Sequence, residues 1–309
     1  MGEFQNPMLL TTDPDEPGAA LARLLSLPVP SDARLTILAV ALPEPVGLAV
    51  DAKSTPTLER LVEREVEHLR AHAEALARTA SRAGYAVDVR IERGNPLWVA
   101  VDIAVRNGHD LLLKTVEAGD GFGPLDRQLL RNCPCPVWIE QAGPLRPLRR
   151  VLVAVNPDPD APEDCALAGD LLRSAATVAD GVGAELNVLH AWKIFGERIP
   201  LADEPADPEL APLIGATLNR HMGYLTTAIE AAGLAGSNVR RHLIHQRASV
   251  AIATTVRELH PDLLVMGTVG RTGIPGFVIG NTAERVLSNL TCSLLARKPT
   301  GFVSPMLTS

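Results

Sequence analysis

The chain repeats its own pattern once. HDLLLKT at 109–115 aligns with PDLLVMG at 261–267, which pairs Asp110 with Asp262 at an offset of 152. LTILAV at 35–40 aligns with LNVLHA at 186–191 (offset 151), and MLLTTDPD at 8–15 aligns with VLVAVNPD at 151–158 (offset 143). LRNCPCPVWIE at 130–140 aligns with LSNLTCSLLAR at 287–297 (offset 157). The order is the same in both halves and the offsets drift only by loop lengths, so the sequence reads as two copies of one fold. The first copy takes 1–143 and the second 148–309. They are joined at QAGPLRPLRR (141–150), where Pro, Gly and Arg interrupt all periodicity.

Within each copy, strand and helix patterns alternate. In the second, VLVAV (151–155) is a continuous apolar run, suited to a strand buried on both faces. Helix patterns follow at 163–180, 210–232 (closed by Gly233), 248–259 and 282–289, with strands at 185–190, 238–244, 262–266 and 292–296. In the first copy the helix at 57–83 is long and Gly84 closes it. Such alternation predicts an α/β fold: a doubly wound parallel sheet with right-handed crossovers and helices on both faces. The last strand of each copy, 136–140 and 292–296, is expected at a sheet edge.

The segment GTVGRTGIPGFVIGN (267–281) follows a strand and precedes a helix, and four of its first ten residues are glycine. Open parallel sheets bind ligands outside the carboxyl ends of their strands, at the switch point. Glycines let backbone amides approach an anion, a helix N-terminus adds partial positive charge, and Arg271 adds a full one. No acidic residue occurs between Gly267 and Glu284. On these residues alone two readings stand open: a phosphate or nucleotide site, and a mobile loop without a ligand. Asn281 and Glu284 also have the spacing of a structural capping box. The dinucleotide fingerprint and the P-loop are both excluded by spacing.

Gly267-x2-Gly270-x9-Gly280 followed by Asn281 resembles the nucleotide-binding signature of universal stress proteins, and the element order agrees over essentially the whole chain. Tandem duplication with one degenerate half is similar to the E-type members of that family. The resemblance implies a Rossmann-like five-stranded sheet of order 3-2-1-4-5 in each half and an intramolecular pseudo-dimer made through the last strands. It also implies ATP or AMP, with Mg²⁺ as an optional companion, bound by the second half. The positions that would contact the nucleotide are Asn156, Pro157, Ala191, Met266, Gly267, Thr268, Gly270, Arg271, Gly280, Asn281 and Thr282. Three of them depart from the family pattern. Asn156 stands where an aspartate is usual and carries no charge. Ala191 offers less apolar contact than valine. Asn281 replaces Ser or Thr, although Thr282 supplies a hydroxyl next door.

The matching loop of the first half, KTVEAGDGFGPLD (114–126), is five residues shorter, because the offset rises from 152 to 157 across it. It carries Glu117, Asp120 and Asp126 beside Lys114, an arrangement expected to repel a phosphate. Asp13 aligns with Asn156, so the first half retains the aspartate and the second retains the glycines.

Cys133-Pro134-Cys135 has the look of a metal or redox pair, but the structural reading is preferred, because Cys135 matches Cys292 at the start of the last strand and further metal ligands are missing. His242 and His245, three apart on a strand, point to opposite faces. His190 is the single candidate base near the ligand, and no serine–histidine–aspartate order or spaced carboxylate pair marks an enzyme. The formal charge of −7 argues against a nucleic-acid partner. No apolar run is long enough to cross a bilayer and no leader is evident in the sequence, so a cytoplasmic location is the expectation. The leading expectation is a nucleotide-responsive stress protein with protein partners yet to be identified. A ligand-independent interaction scaffold and a weak Mg²⁺-dependent ATPase are the alternatives, and association of two chains is left open.

Overall fold

The computed structural model describes residues 4–27, 30, 32–42, 55–117, 121–194, 211–268 and 280–307. The short apolar runs form the inner strands of each half: β1 (Pro7–Thr11), β4 (Leu111–Thr115), β6 (Arg150–Val155) and β9 (Leu263–Gly267). Every residue of β1 and β4 is buried, as strands covered on both faces require. Beside them lie β2 (Arg34–Ala41) and β7 (Glu185–Trp192), then the outer β3 (Ala86–Arg93) and β8 (Val239–His245). β5 (Val137–Glu140) and β10 (Ser293–Arg297) close the two halves in sequence.

Eight helices connect the described strands: α1 (Ala19–Ser26), α2 (Thr55–Arg82), α3 (Pro96–Arg106), α4 (Pro124–Asn132), α5 (Pro162–Val182), α6 (Ala211–Ala231), α7 (Ala248–Leu259) and α8 (Asn281–Leu287). Their ends follow local chemistry. Asn95 caps α3, its Oδ1 accepting from the Leu97 amide at 3.0 Å, with Pro96 pre-set for the first turn. Gly84 follows α2 at φ 98°, a left-handed conformation that side chains resist.

All ten strands belong to one sheet of order β3-β2-β1-β4-β5-β10-β9-β6-β7-β8. Each half has the expected 3-2-1-4-5 order, and all pairs within a half are parallel. The halves meet through one antiparallel pair, in which Val137, Trp138 and Ile139 oppose Ala296, Leu295 and Leu294. The pseudo-dimer is therefore a continuous sheet. The last strands, which are edges of each half taken alone, lie at its centre, and β3 and β8 are its edges. α1, α2, α5 and α6 pack on one face, where Leu24, Leu69, Leu172 and Leu225 are buried. α3, α4, α7 and α8 pack on the other, around Val101, Leu129, Ile252 and Val286.

Strand register corrects one alignment. Met8 opposes Leu112 and Leu152 opposes Leu264, so Met8 corresponds to Leu152 at an offset of 144, not 143. The counterpart of Asn156 is then Thr12. The turns shift by one more residue. Asp13 accepts from the Glu16 amide through its carbonyl and from the Asp15 amide through Oδ1. Asp158 does the same for Ala161 and Asp160. Asp13 is thus the partner of Asp158, not of Asn156. The Asp-Pro-Asp and Asn-Pro-Asp strings look alike, but a one-residue slip would turn every side chain of the strand to the wrong face.

Candidate functional site

In the second half the chain leaves β6 toward β7 on one side and returns to β9 on the other, so the switch point lies between the carboxyl ends of β6 and β9. Several of the sequence-selected residues gather there. Asn156 is exposed just beyond β6, and its Nδ2 donates to Asp164 Oδ2 at 3.0 Å. Pro157 is buried beside it. Met266 and Gly267 end β9, opposite Ala296 and Arg297 of β10. Ala191, near the end of β7, is half-buried; alternation puts it on the sheet face of Leu189 and Met266. Gly270 and Arg271 fall within 269–279, outside the described residues.

Both ends of the glycine segment are fixed. Thr268 is 2% exposed; its amide donates to the Arg297 carbonyl at 3.3 Å. Its carbonyl accepts from the Gly280 amide at 3.0 Å, which closes the segment at its base. The Thr268 hydroxyl donates across the junction to the Leu130 carbonyl of α4 at 3.1 Å. Arg131 of α4 also pairs with Glu284 of α8 at 3.2 Å. Gly280, not Asn281, is the N-cap of α8. Asn281 is exposed in the first turn, with the half-buried Thr282 beside it, so the expected capping box does not form.

The glycines have different reasons to be glycine. A Cβ on Gly267 would stand 2.9 Å from Leu167 Cδ2 of α5, so packing against that helix selects it. Gly280 has φ −56° and ψ 140°, a conformation open to any residue. Backbone strain therefore does not explain Gly280.

The first half fills the same place with its own side chains. Lys114 and Asp126 are 2% and 0% exposed and pair at 2.9 Å. Asp126 Oδ2 accepts from the Gly123 amide at 2.9 Å, and Lys114 Nζ donates to the Thr115 carbonyl at 2.8 Å. By the offsets of 152 and 157 these two positions are Met266 and Ala283 in the second half. Glu16 is half-buried nearby, and desolvation raises its carboxyl pKa against hydrogen bonds from Thr115 and Thr11. The expectation of three unbalanced carboxylates is corrected: Asp126 is neutralised by Lys114. Asp120 lies outside the described residues.

His190 is not a surface base. It is 1% exposed. Its Nδ1 is 3.2 Å from the Val155 carbonyl, and its Nε2 is 2.8 Å from His221 Nδ1. Burial pushes its pKa down to about 4, so the ring is neutral, donating from Nδ1 and accepting at Nε2. His221 and His245 stack on the Trp192 ring with centroids 5.6 and 4.2 Å away. His242 turns to the opposite face and meets Asn187 at 2.8 Å, as the three-residue spacing predicts. Among the described residues no cluster of metal-ligating side chains occurs, and no helix is long and apolar enough to cross a membrane.

Sequence reasoning missed the Thr268–Leu130 tie, the Arg131–Glu284 pair and the Asp164 carboxylate beside Asn156, all of which are made by the tertiary fold. The Asp126 cap was within reach, since an acid three residues after Gly123 and two after Pro124 is a helix-start pattern.

The model of the universal stress protein family matches residues 4–139 and 147–298. Universal stress protein E of Escherichia coli strain K12 is 29% identical over 231 residues, 72% of each chain. Among solved structures, a Pseudomonas aeruginosa PAO1 protein described as functionally unknown superimposes with a TM-score of 0.67 at 23% identity, covering 96% of this chain and 93% of the other. A universal stress protein of Archaeoglobus fulgidus superimposes with a TM-score of 0.61 at 18% identity, covering 96% and 98%. At those identities the structural likeness speaks to the fold.

Proposed function

The chain belongs to the universal stress protein family, and from that premise we propose that it is a stress-response protein whose second half binds one adenine nucleotide, ATP or AMP. The observation that carries the reading is the contrast between the two switch points. In the second half Thr268 and Gly280, which flank residues 269–279, are joined by a hydrogen bond, and the positions of the first half's ion pair are taken by Met266 and Ala283. In the first half an internal ammonium–carboxylate pair takes those positions. Gly267, Thr268, Gly270, Arg271 and Gly280 would cradle phosphates with Asn281 and Thr282. Asn156 and Pro157 would face the nucleoside, and Ala191 the base. Asp164, held by Asn156, offers a carboxylate to a sugar hydroxyl where the Asn156 amide lacks charge. Nucleotide occupancy would be felt in the first half through Thr268 and the α4 carbonyl it caps.

One observation favours a ligand-independent scaffold: the Asn156 amide already has an internal partner in Asp164. The ATPase reading loses its candidate base, because His190 is buried and bonded on both nitrogens. The deciding experiment is mass spectrometry of small molecules released from freshly purified protein, with calorimetry against ATP and Mg²⁺. One adenine nucleotide per chain, lost in Gly280→Val and Gly270→Val with the fold intact, supports the nucleotide site. Unchanged affinity in both variants, or an empty protein indifferent to millimolar nucleotide, overturns it.

A further inference from the structure

The junction between the halves carries a group of side chains that the nucleotide reading does not use. Cys133 ends α4 and Cys135 precedes β5; their sulfurs share a hydrogen bond at 3.3 Å. Cys133 is buried and Cys135 is half-buried. From the other half, Lys298 arrives just beyond β10, 7% exposed. Its Nζ donates to the Cys133 carbonyl, capping the last turn of α4, and lies 5.3 Å from the Phe302 ring centroid. A buried ammonium calls for a nearby anion. Among the described residues no carboxylate pairs with Lys298, and the two thiols are the ionisable groups acting on it. The hydrogen bond from Cys135 holds the Cys133 thiol below its ordinary pKa, with Lys298 acting in the same direction against burial. The same hydrogen bond pushes Cys135 well above its own.

The pseudo-symmetric site is the internal control. An offset of 157 places Gln141 at Lys298, Cys292 at Cys135 and Leu290 at Cys133. There Gln141 Nε2 donates to the Cys292 carbonyl at 3.0 Å, and burial pushes the Cys292 thiol up to about 12. A neutral amide and one inert thiol suffice to build that side of the junction. The second thiol and the buried cation on this side are additional to what the architecture requires.

We propose that Cys133, Cys135 and Lys298 form a thiol redox site, in which a small hydroperoxide converts the two cysteines to an intrachain disulfide. The Cys133 thiolate attacks the distal peroxide oxygen and the O–O bond breaks. The alkoxide or hydroxide that leaves takes a proton from the Lys298 ammonium, and Cys133 becomes a sulfenic acid. The Cys135 sulfur then attacks the Cys133 sulfur, and the S–O bond breaks. Hydroxide departs with the Cys135 proton as water. The two thiols lose two electrons, the peroxide gains them, and Lys298 is left as a neutral amine with no anion to face. A small-molecule thiol reverses the reaction by exchange.

The test treats the whole chain, without nucleotide, with hydrogen peroxide, then blocks remaining thiols and maps each cysteine by mass spectrometry. The expected result is early loss of two hydrogen masses from the peptide carrying Cys133 and Cys135, restored by dithiothreitol, while Cys165 and Cys292 remain labelled. Lys298→Met should slow that loss, because the cation that favours the Cys133 thiolate and protonates the leaving oxygen is gone. Cys135→Ser should stop the reaction at a sulfenic acid that dimedone traps on Cys133. This variant decides the matter even where Lys298→Met fails to fold. Oxidation of Cys165 ahead of the pair, equal rates with and without Lys298, or no dimedone adduct on Cys133 would each overturn the proposal. None of these readouts depends on nucleotide binding.

Discussion

Replacing Lys114 with methionine tests whether the first half is sealed by its own charges. Lys114 Nζ and Asp126 Oδ1 stand 2.9 Å apart with both side chains essentially out of water. At an effective dielectric constant near 20, the attraction at that distance is about 6 kcal/mol. Desolvation of both ions offsets most of it, so the pair is worth little against an apolar replacement. Removing one partner is different. Asp126 would keep the Gly123 amide at 2.9 Å but face a buried site with no counter-ion. The expected loss for Lys114→Met is about 3–5 kcal/mol. The double variant Lys114→Met with Asp126→Leu should regain most of that. Urea unfolding followed by circular dichroism at neutral pH measures both, as a lower midpoint at unchanged slope for the single variant. Calorimetry on the folded single variant should still give one nucleotide per chain. A loss under about 1 kcal/mol, or a double variant no more stable than the single, would refute the picture of a mutually dependent buried pair.

Other expectations follow from the same geometry. His190 has a folded pKa of about 4 against about 6.5 when unfolded, so between those values the unfolded chain holds a proton that the folded chain lacks. Stability therefore falls as pH drops from 6.5 toward 4, by about 3 kcal/mol from this ring. His190→Gln should flatten that part of the pH–stability curve relative to the parent, and an unchanged curve would show that the ring titrates normally. Glu140 accepts from Arg23 at 2.8 and 3.1 Å and from the Trp138 ring nitrogen at 2.9 Å. Glu140→Ala should destabilise the chain by about 3–5 kcal/mol in the same urea assay, because Arg23 is left buried without its anion. Gly267→Ala should cost about 1–3 kcal/mol through crowding of Leu167. Gly280→Val should cost about 1 kcal/mol, because valine is a poorer N-cap for α8 than glycine, and should abolish nucleotide binding in the folded variant, so intact binding would remove Gly280 from the site.

Much of the architecture was legible because hydropathy period and repeat offsets are local properties. The α7 range 248–259 was readable directly, whereas the strand order of each half came from the resemblance to universal stress proteins and not from periodicity. The β1 alignment failed by one residue because two similar strings, Asp-Pro-Asp and Asn-Pro-Asp, outweighed the side-chain alternation that sets register. The glycine spacing located a candidate site, but not why each glycine is there. Gly267 answers to Leu167 on another element, a contact no spacing rule contains. His190 looked available because it ends a strand. Its withdrawal into a bonded pair with His221 depends on α6, a helix that begins at Ala211.

The sequence by itself determined that there are two copies, that each is a parallel α/β unit, and that only the second carries the glycine signature, because these rest on periodicity and composition along the chain. The tertiary structure decided how the copies depend on each other. Antiparallel pairing of β5 with β10 brings segments more than a hundred residues apart in the chain into contact. The last turn of α4 then takes its caps, Thr268 and Lys298, from the opposite half. Helix carbonyls need a donor wherever one can reach them, and which donor reaches is fixed by packing, which no local pattern records.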